Sequence, residues 1–214
     1  MKASFDNPRG FFENNKIVAL NTEILNQLNA SWDKPFFDQD KLENPILYNF
    51  FLSKLRKIIN QEFNNATCLL IKDPRISILF SLWDRALKEL RFADIKVVVS
   101  LRNPASIADS LLKRNGILPN QSHFLNLEYL AKADQGSMYL ERHFFDFDNA
   151  IMYPGKEQAS LLGFLGQNTC VKNKSNIEDR IDKSIFHDLK ETGPHPVFRV
   201  HLSLIHISEP TRPY

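Results

Sequence analysis

The chain has 214 residues, enough for one domain with a sizeable core, and its 43% hydrophobic and 24% charged content is that of an ordinary globular protein. Its 27 basic and 25 acidic side chains leave a formal net charge of +2, which argues against a nucleic-acid partner or a strongly acidic one, although a local basic pocket is compatible with it. No apolar run approaches the ~18 residues a membrane span needs, and the opening MKASFDNPRG has no apolar signal core, so a cytoplasmic protein without a membrane span is expected. The two cysteines, Cys68 and Cys170, form no C-x-x-C and lie among apolar residues, which points to reduced, structural roles. The six histidines show no metal-site spacing, so no metal is expected.

From the amino end, NPRGFFEN (Asn7 to Asn14) reads as a turn. Ile17, Leu20, Ile24 and Leu28 then share one face and predict a helix over Lys16 to Leu28. Pro35 to Pro45 is a polar connection. Leu47, Phe51, Leu55, Ile58 and Ile59 predict a helix over Ile46 to Phe63, ended by Asn64-Asn65. Thr67 to Ile71 (TCLLI) reads as a buried strand that delivers Lys72, Asp73, Pro74 and Arg75 at its carboxyl end. Ile76, Leu79, Phe80, Trp83, Leu87 and Leu90 form the stripe of the next helix. Lys72 is placed to neutralise charge developing on a leaving oxygen, and Asp73 to take a proton or to orient its neighbours. Asp73 equally fits a plain helix cap paired with Arg75, with no chemistry.

The stretch around which the chain is organised is Ile95 to Ile117, IKVVVSLRNPASIADSLLKRNGI. Ile95, Val97, Val98 and Val99 read as a strand buried on both faces. Asn103 is a helix cap, Pro104 the first helical position, and Gly116 the stop. Strand, turn and helix, with the preceding strand and helix, make a βαβ unit, and the carboxyl ends of such strands are where open α/β sheets bind ligands. Arg102 leaves the strand end with a planar fork of donors suited to phosphate, and Ser110 lies two helical turns on, sharing a face with Ser106 and Arg114. The helix amino end adds positive potential. A solvated polar stripe with a surface Arg satisfies the same spacing.

Beyond Gly116, Leu118 to Gln121 reads as a loop, and Ser122 as the cap of a helix from His123 to about Ala133. Arg142 to Phe147 (RHFFDF) is a strand in which His143 packs, Asp148 to Tyr153 a turn, and Pro154 to Leu165-Gly166 a helix. Ile177 to Lys190 is a charged helix candidate. Residues 202–214, LSLIHISEPTRPY, resemble a translated sequencing adapter or a disordered tail, and no element is expected there.

RNPASIADSLLKRNG resembles the 3′-phosphate-binding motif of the PAPS-dependent sulfotransferases, in which an Arg ends a strand and a Ser eight residues later lies in the next helix. KDPR, NPRGFFEN, SWD at Ser31 to Asp33 and the late Leu161, Phe164, Leu165 and Gly166 are similar to the bacterial branch of that family in the same order, from about Asn7 to about Ile185. The resemblance implies an α/β fold: a parallel sheet flanked by helices, like a P-loop nucleoside kinase. It implies PAPS (3′-phosphoadenosine 5′-phosphosulfate) as co-substrate, with Arg102, Ser110 and Arg75 holding the nucleotide. It implies Lys72 as the charge stabiliser and Asp73 or Glu13 as the base, Glu13 because a Glu in an aromatic-rich segment serves so in some carbohydrate sulfotransferases. The family's 5′-phosphosulfate loop is absent from MKASFD, and no G-x-x-x-x-G-K-[ST] occurs in the chain. The expectation is therefore one domain over residues 1–201 that lacks the first strand and phosphate loop. It would be a sulfuryl transferase to a hydroxyl or amine acceptor, carbohydrate among them, inactive if the missing loop is essential. The alternative is a non-catalytic nucleotide 3′-phosphate-binding or interaction module.

Overall fold

The computed structural model describes residues 13–35, 42, 44–64, 66, 68–166 and 205–210, with only the backbone described at Cys68, Ala93 and 205–210. Most of the NPRGFFEN turn, most of the connection after Pro35, Cys170 and the helix candidate Ile177 to Lys190 lie outside these residues. Helix α1 (Asn15–Gln27) starts where the Asn14 carboxamide accepts from the Lys16 and Ile17 amides, and α2 (Pro45–Glu62) repeats the device with Asn44 and a proline in its first turn. Strand β1 (Cys68–Ile71) buries Leu69 and Ile71 and leaves Leu70 exposed, the alternation of a strand with one face on a core. A short 3-10 turn, Pro74–Ser77, precedes α3 (Phe80–Glu89), so the single helix expected after KDPR is two pieces. Strand β2 (Phe92–Leu101) and α4 (Pro104–Asn115) follow, with Asn103 capping α4 through the Ala105 amide. Gly116, at φ 71°, stops α4 in the left-handed region that glycine enters without a Cβ penalty.

Strand β2 starts three residues before the expected Ile95, and two further elements differ from expectation. Helix α5 runs Pro119–Ser137 and begins at Pro119, not after Ser122; Ser122 is buried inside it, and its amide donates to the Leu118 carbonyl. Proline's fixed φ makes it a ready first helical residue, and this overrides the cap propensity of a serine three positions on. After β3 (Glu141–Asp146), Asp148 to Tyr153 is not a turn. The Asp146 carboxylate caps a short helix, α6 (Phe147–Met152), through the Asn149 amide. Helix α7 (Pro154–Leu165) follows.

The architecture is mixed α/β and mostly helical, with β2 and β3 paired in parallel and flanked by helices. In sheet order β1-β4-β2-β3, the fourth strand, β4 (Ile205–Pro210), comes from the tail in which no element was expected and runs antiparallel to both β1 and β2. The sheet is thus mixed rather than wholly parallel, and β1 and β2 are not neighbours. Alternate isoleucines at 205 and 207 suit a strand, a period-2 signal in IHIS. Ile95, Val97 and Val99 enter the main core with Leu69, Ile71, Phe51, Leu55, Leu82 and Trp83, against α1, α2, α3 and α5.

Lys96 and Val98 point to the other face of the sheet. There α7 lies close: Lys96 Nζ donates to the Phe164 carbonyl at 2.9 Å, and His143, paired in register with Val98, stacks on the Phe164 ring at 5.3 Å. Burial holds the His143 pKa below its ordinary 6.5, with the nearby Glu157 carboxylate acting the other way. The unfolded chain therefore takes up this proton first, so stability is full above about pH 6.5 and falls as pH drops through the unfolded value toward the folded one. Thermal melts at pH 7.5 and 5.5 are expected to show a lower Tm at the acid pH. His143→Phe should shrink that difference; an unchanged difference would place its origin elsewhere. Among the described residues no helix is long and apolar enough to cross a membrane, and no group of three or more His, Cys, Asp or Glu is placed to hold a metal ion.

Candidate functional site

Because β4 is antiparallel to both β1 and β2, and β3 is parallel to β2, the strands β1, β2 and β3 all run one way. Their carboxyl ends form one rim, which carries Lys72 and Asp73 after β1, Arg102 and Asn103 after β2, and Phe147 and Asp148 after β3. The ends are staggered. Ile205 of β4 pairs with Ile71 on one side and Val97 on the other, so Lys72 lies one residue beyond that level and Arg102 five. At ~3.3 Å per residue and ~4.8 Å per strand, the two Cα atoms stand roughly 16 Å apart. With Lys72 held at Glu13 and Arg102 against Phe147, that separation suits two separate anionic groups.

At the β1 end, the Lys72 amino group lies 2.8 Å from Glu13 Oε1, with the Lys72 side chain 29% exposed and that of Glu13 only 7%. The residues that sequence named as charge stabiliser and as rival base are thus in contact, brought together because α1 begins two residues after Glu13 and packs its Ile17, Leu20 and Ile24 face into the core with Leu69 and Ile71 of β1.

Asp73 is in a different situation. It is 1% exposed, and both carboxylate oxygens are engaged. Oδ1 accepts from the Arg75 amide at 2.9 Å and from Arg75 Nη1 at 2.8 Å, while Oδ2 accepts from Asn21 Nδ2 at 3.0 Å. Asn21 in turn accepts from the Trp83 indole N–H at 3.0 Å. This chain of buried hydrogen bonds ties α1, the turn after β1 and α3 together. Both Asp73 oxygens are satisfied away from water, the condition under which a buried carboxylate is tolerated, while the buried Arg75 Nε has no hydrogen-bond partner among the described residues. The geometry gives Asp73 the capping and pairing work, and Arg75, with its side chain 16% exposed, is held by Asp73.

Asn21 and Trp83 were not singled out as polar partners by sequence. The signal was there: Asn21 falls on the same helix face as Ile17, Ile24 and Leu28, and an amide inside an apolar stripe needs a buried partner. Above this network, the Tyr129 hydroxyl of α5 donates to the Trp32 carbonyl at 2.8 Å and Gln121 Nε2 to the Asp33 carbonyl at 2.8 Å, pinning the Ser31–Asp33 turn. Burial pushes the Tyr129 phenol far above its ordinary value, so it remains a neutral donor.

At the β2 end, Arg102 is half-buried with its guanidinium 5.4 Å from the centre of the Phe147 ring, a cation–π contact. Ser110, half-buried on α4, lies about two turns from the helix start. Asp148, in the first turn of α6, accepts from the Asn103 amide through Oδ2 at 2.6 Å. Phe147 and Asp148 were read from sequence as structural; their place beside Arg102 follows from the parallel pairing of Leu101 with Asp146, which no local pattern reveals.

No protein-family model, curated protein or solved structure matches this chain.

Proposed function

We propose that the chain is a sulfotransferase-like protein that binds an adenine nucleotide bearing a 3′-phosphate and belongs to the PAPS-using class of sulfuryl transferases. The observation that carries this reading is the staggered rim: a strand-end Arg leading into a capped helix that bears a Ser, and a strand-end Lys in contact with a carboxylate roughly 16 Å away. Two cationic posts at that separation fit the two anionic ends of one nucleotide. Arg102 and Ser110 hold the 3′-phosphate, Lys72 faces the sulfate end, and Arg75, paired with Asp73, adds positive charge at the same strand end.

In the reaction an acceptor oxygen or nitrogen attacks sulfur, the bond from sulfur to the bridging phosphate oxygen breaks, and the acceptor's proton passes to a carboxylate. Adenosine 3′,5′-bisphosphate leaves. Lys72 offsets the charge that builds on the bridging oxygen. Of the two candidate bases, Glu13 fits better: both Asp73 oxygens are engaged in the interior network, whereas Glu13 pairs with Lys72, the charge-stabilising residue itself. As in phosphoryl transfer, positioning and charge compensation account for most of the rate.

A second reading, a non-catalytic 3′-phosphate-binding module, draws on the same ion pair: Lys72 and Glu13 neutralise each other at 2.8 Å. Calorimetric titration with adenosine 3′,5′-bisphosphate and, separately, adenosine 5′-monophosphate tests the nucleotide site. Clearly tighter binding of the bisphosphate is expected. Equal affinities for the two nucleotides, or no binding by a folded chain, would remove the 3′-phosphate site from the account. Bisphosphate binding without sulfuryl transfer from PAPS to a panel of sugar, lipid and phenol acceptors would favour the module.

A further inference from the structure

We infer that Asp148 is a built-in surrogate anion at the Arg102 site: its carboxylate holds the Asn103 amide until a ligand phosphate displaces it. This rests on the reading of Arg102 as a phosphate-binding residue. Three observations lead here. Asp148 Oδ2 lies 2.6 Å from the Asn103 nitrogen, at the amino end of α4, where partial positive charge favours an anion. The preceding residue, Phe147, lays its ring against the Arg102 guanidinium, so one short segment covers both the backbone donor and the fixed cation. That segment is α6, six residues entering from β3, which lies at the edge of the sheet. A two-residue step, Phe147 and Asp148, thus presents an apolar face to the cation and an acceptor to the amide, as a bound phosphate ester with its adjoining base would.

The consequence is energetic. A phosphate approaching Arg102 meets a carboxylate of the same sign held at the amide of the next residue, Asn103. Binding therefore includes the cost of moving Asp148 away, and the apparent affinity falls by the fraction of molecules in which Asp148 is in place. Asp148→Asn keeps an oxygen acceptor for the Asn103 amide and removes the charge. Asp148→Ser removes the charge and shortens the side chain, so the segment can withdraw. Both variants should bind phosphate about fivefold more tightly than the native chain, the effect of deleting one unit charge near a solvated anion site.

The test follows the Asn103 amide resonance in nitrogen–proton spectra of the full chain and of both variants. Each is titrated with inorganic phosphate and then with adenosine 3′,5′-bisphosphate. Tighter phosphate binding by both variants, with Asn103 shifting in step with saturation, supports the surrogate. Equal or weaker phosphate binding by the variants overturns it, as does saturable binding that leaves Asn103 unmoved. No phosphate or bisphosphate binding by any form overturns both the surrogate and the phosphate reading of Arg102. The two ideas separate cleanly. Phosphate and bisphosphate each bound alike by all three chains, with the bisphosphate the tighter, keeps the nucleotide and removes the surrogate. A fivefold gain for phosphate in both variants, with the bisphosphate bound no more tightly than phosphate by any chain, keeps the surrogate and removes the nucleotide.

Discussion

Asp73→Ala is expected to lower the unfolding free energy by about 3–5 kcal/mol, the range for removing one partner of a buried charged pair. The reason is the number of groups that lose their partner at once. The Arg75 guanidinium, 16% exposed, loses its carboxylate; the Asn21 amide, fully buried, loses its acceptor; and the 3-10 turn after β1 loses its cap. Asp73→Asn keeps one oxygen and the shape, and should cost less. Urea denaturation measures both. A drop in the midpoint with an unchanged slope reports lost stability of the same fold. An Asp73→Ala chain as stable as the native one would mean that the carboxylate is not the centre of the network, and would reopen its assignment as a base.

Trp83 is the second large effect. It is fully buried, and its indole N–H is the donor to Asn21. Trp83→Ala should cost about 3–5 kcal/mol, the range for emptying an aromatic core position. Trp83→Phe retains most of the packing but leaves the Asn21 oxygen buried without that donor, at about 1–3 kcal/mol. Because Asp73 and Trp83 meet through the same amide, the double variant Asp73→Ala with Trp83→Phe should lose less than the sum of its parts. Strict additivity in the urea series would show that the two residues act independently, against the connected network described above.

Much of the frame was legible in the chain. The βαβ pattern from Leu69 to Leu112 was visible because its signals are local: β-branched runs, Asn and Pro at helix starts, and Gly116 at a helix stop. The same locality explains why the ends of α1, α2, α4 and α7 fell within a residue or two of expectation. The start of α5 was misread because Ser122 and Pro119 both signal a helix start and only packing decides between them. The sheet order was not legible. A six-residue strand from 205 that enters between β1 and β2 depends on pairing across more than a hundred residues, and short alternating runs carry little information about their partners.

For the site, spacing separated Lys72 and Arg102 from the core and put both at strand ends, which the structure shows. It did not show their stagger, which follows from the register of β4, nor that Glu13 meets Lys72 while Asp73 turns inward. Residue type alone left Asp73 open between cap and base. The difference between an exposed acid and an interior one is set by Asn21 and Trp83, residues 52 and 10 positions away, whose roles depend on helix packing rather than on any motif around KDPR.

The central claim is that Arg102 binds the 3′-phosphate of a nucleotide. The most direct measurement compares Arg102→Ala with the native chain in calorimetric titrations with adenosine 3′,5′-bisphosphate and adenosine 5′-monophosphate. The account predicts that Arg102→Ala weakens bisphosphate binding by about 1.5–3 kcal/mol, the range for a hydrogen bond to a charged group, and leaves the monophosphate nearly unchanged. A variant that retains its melting temperature and binds both nucleotides as the native chain does would contradict the claim. Arg102 would then be a half-buried arginine stacked on Phe147, without a role in nucleotide binding.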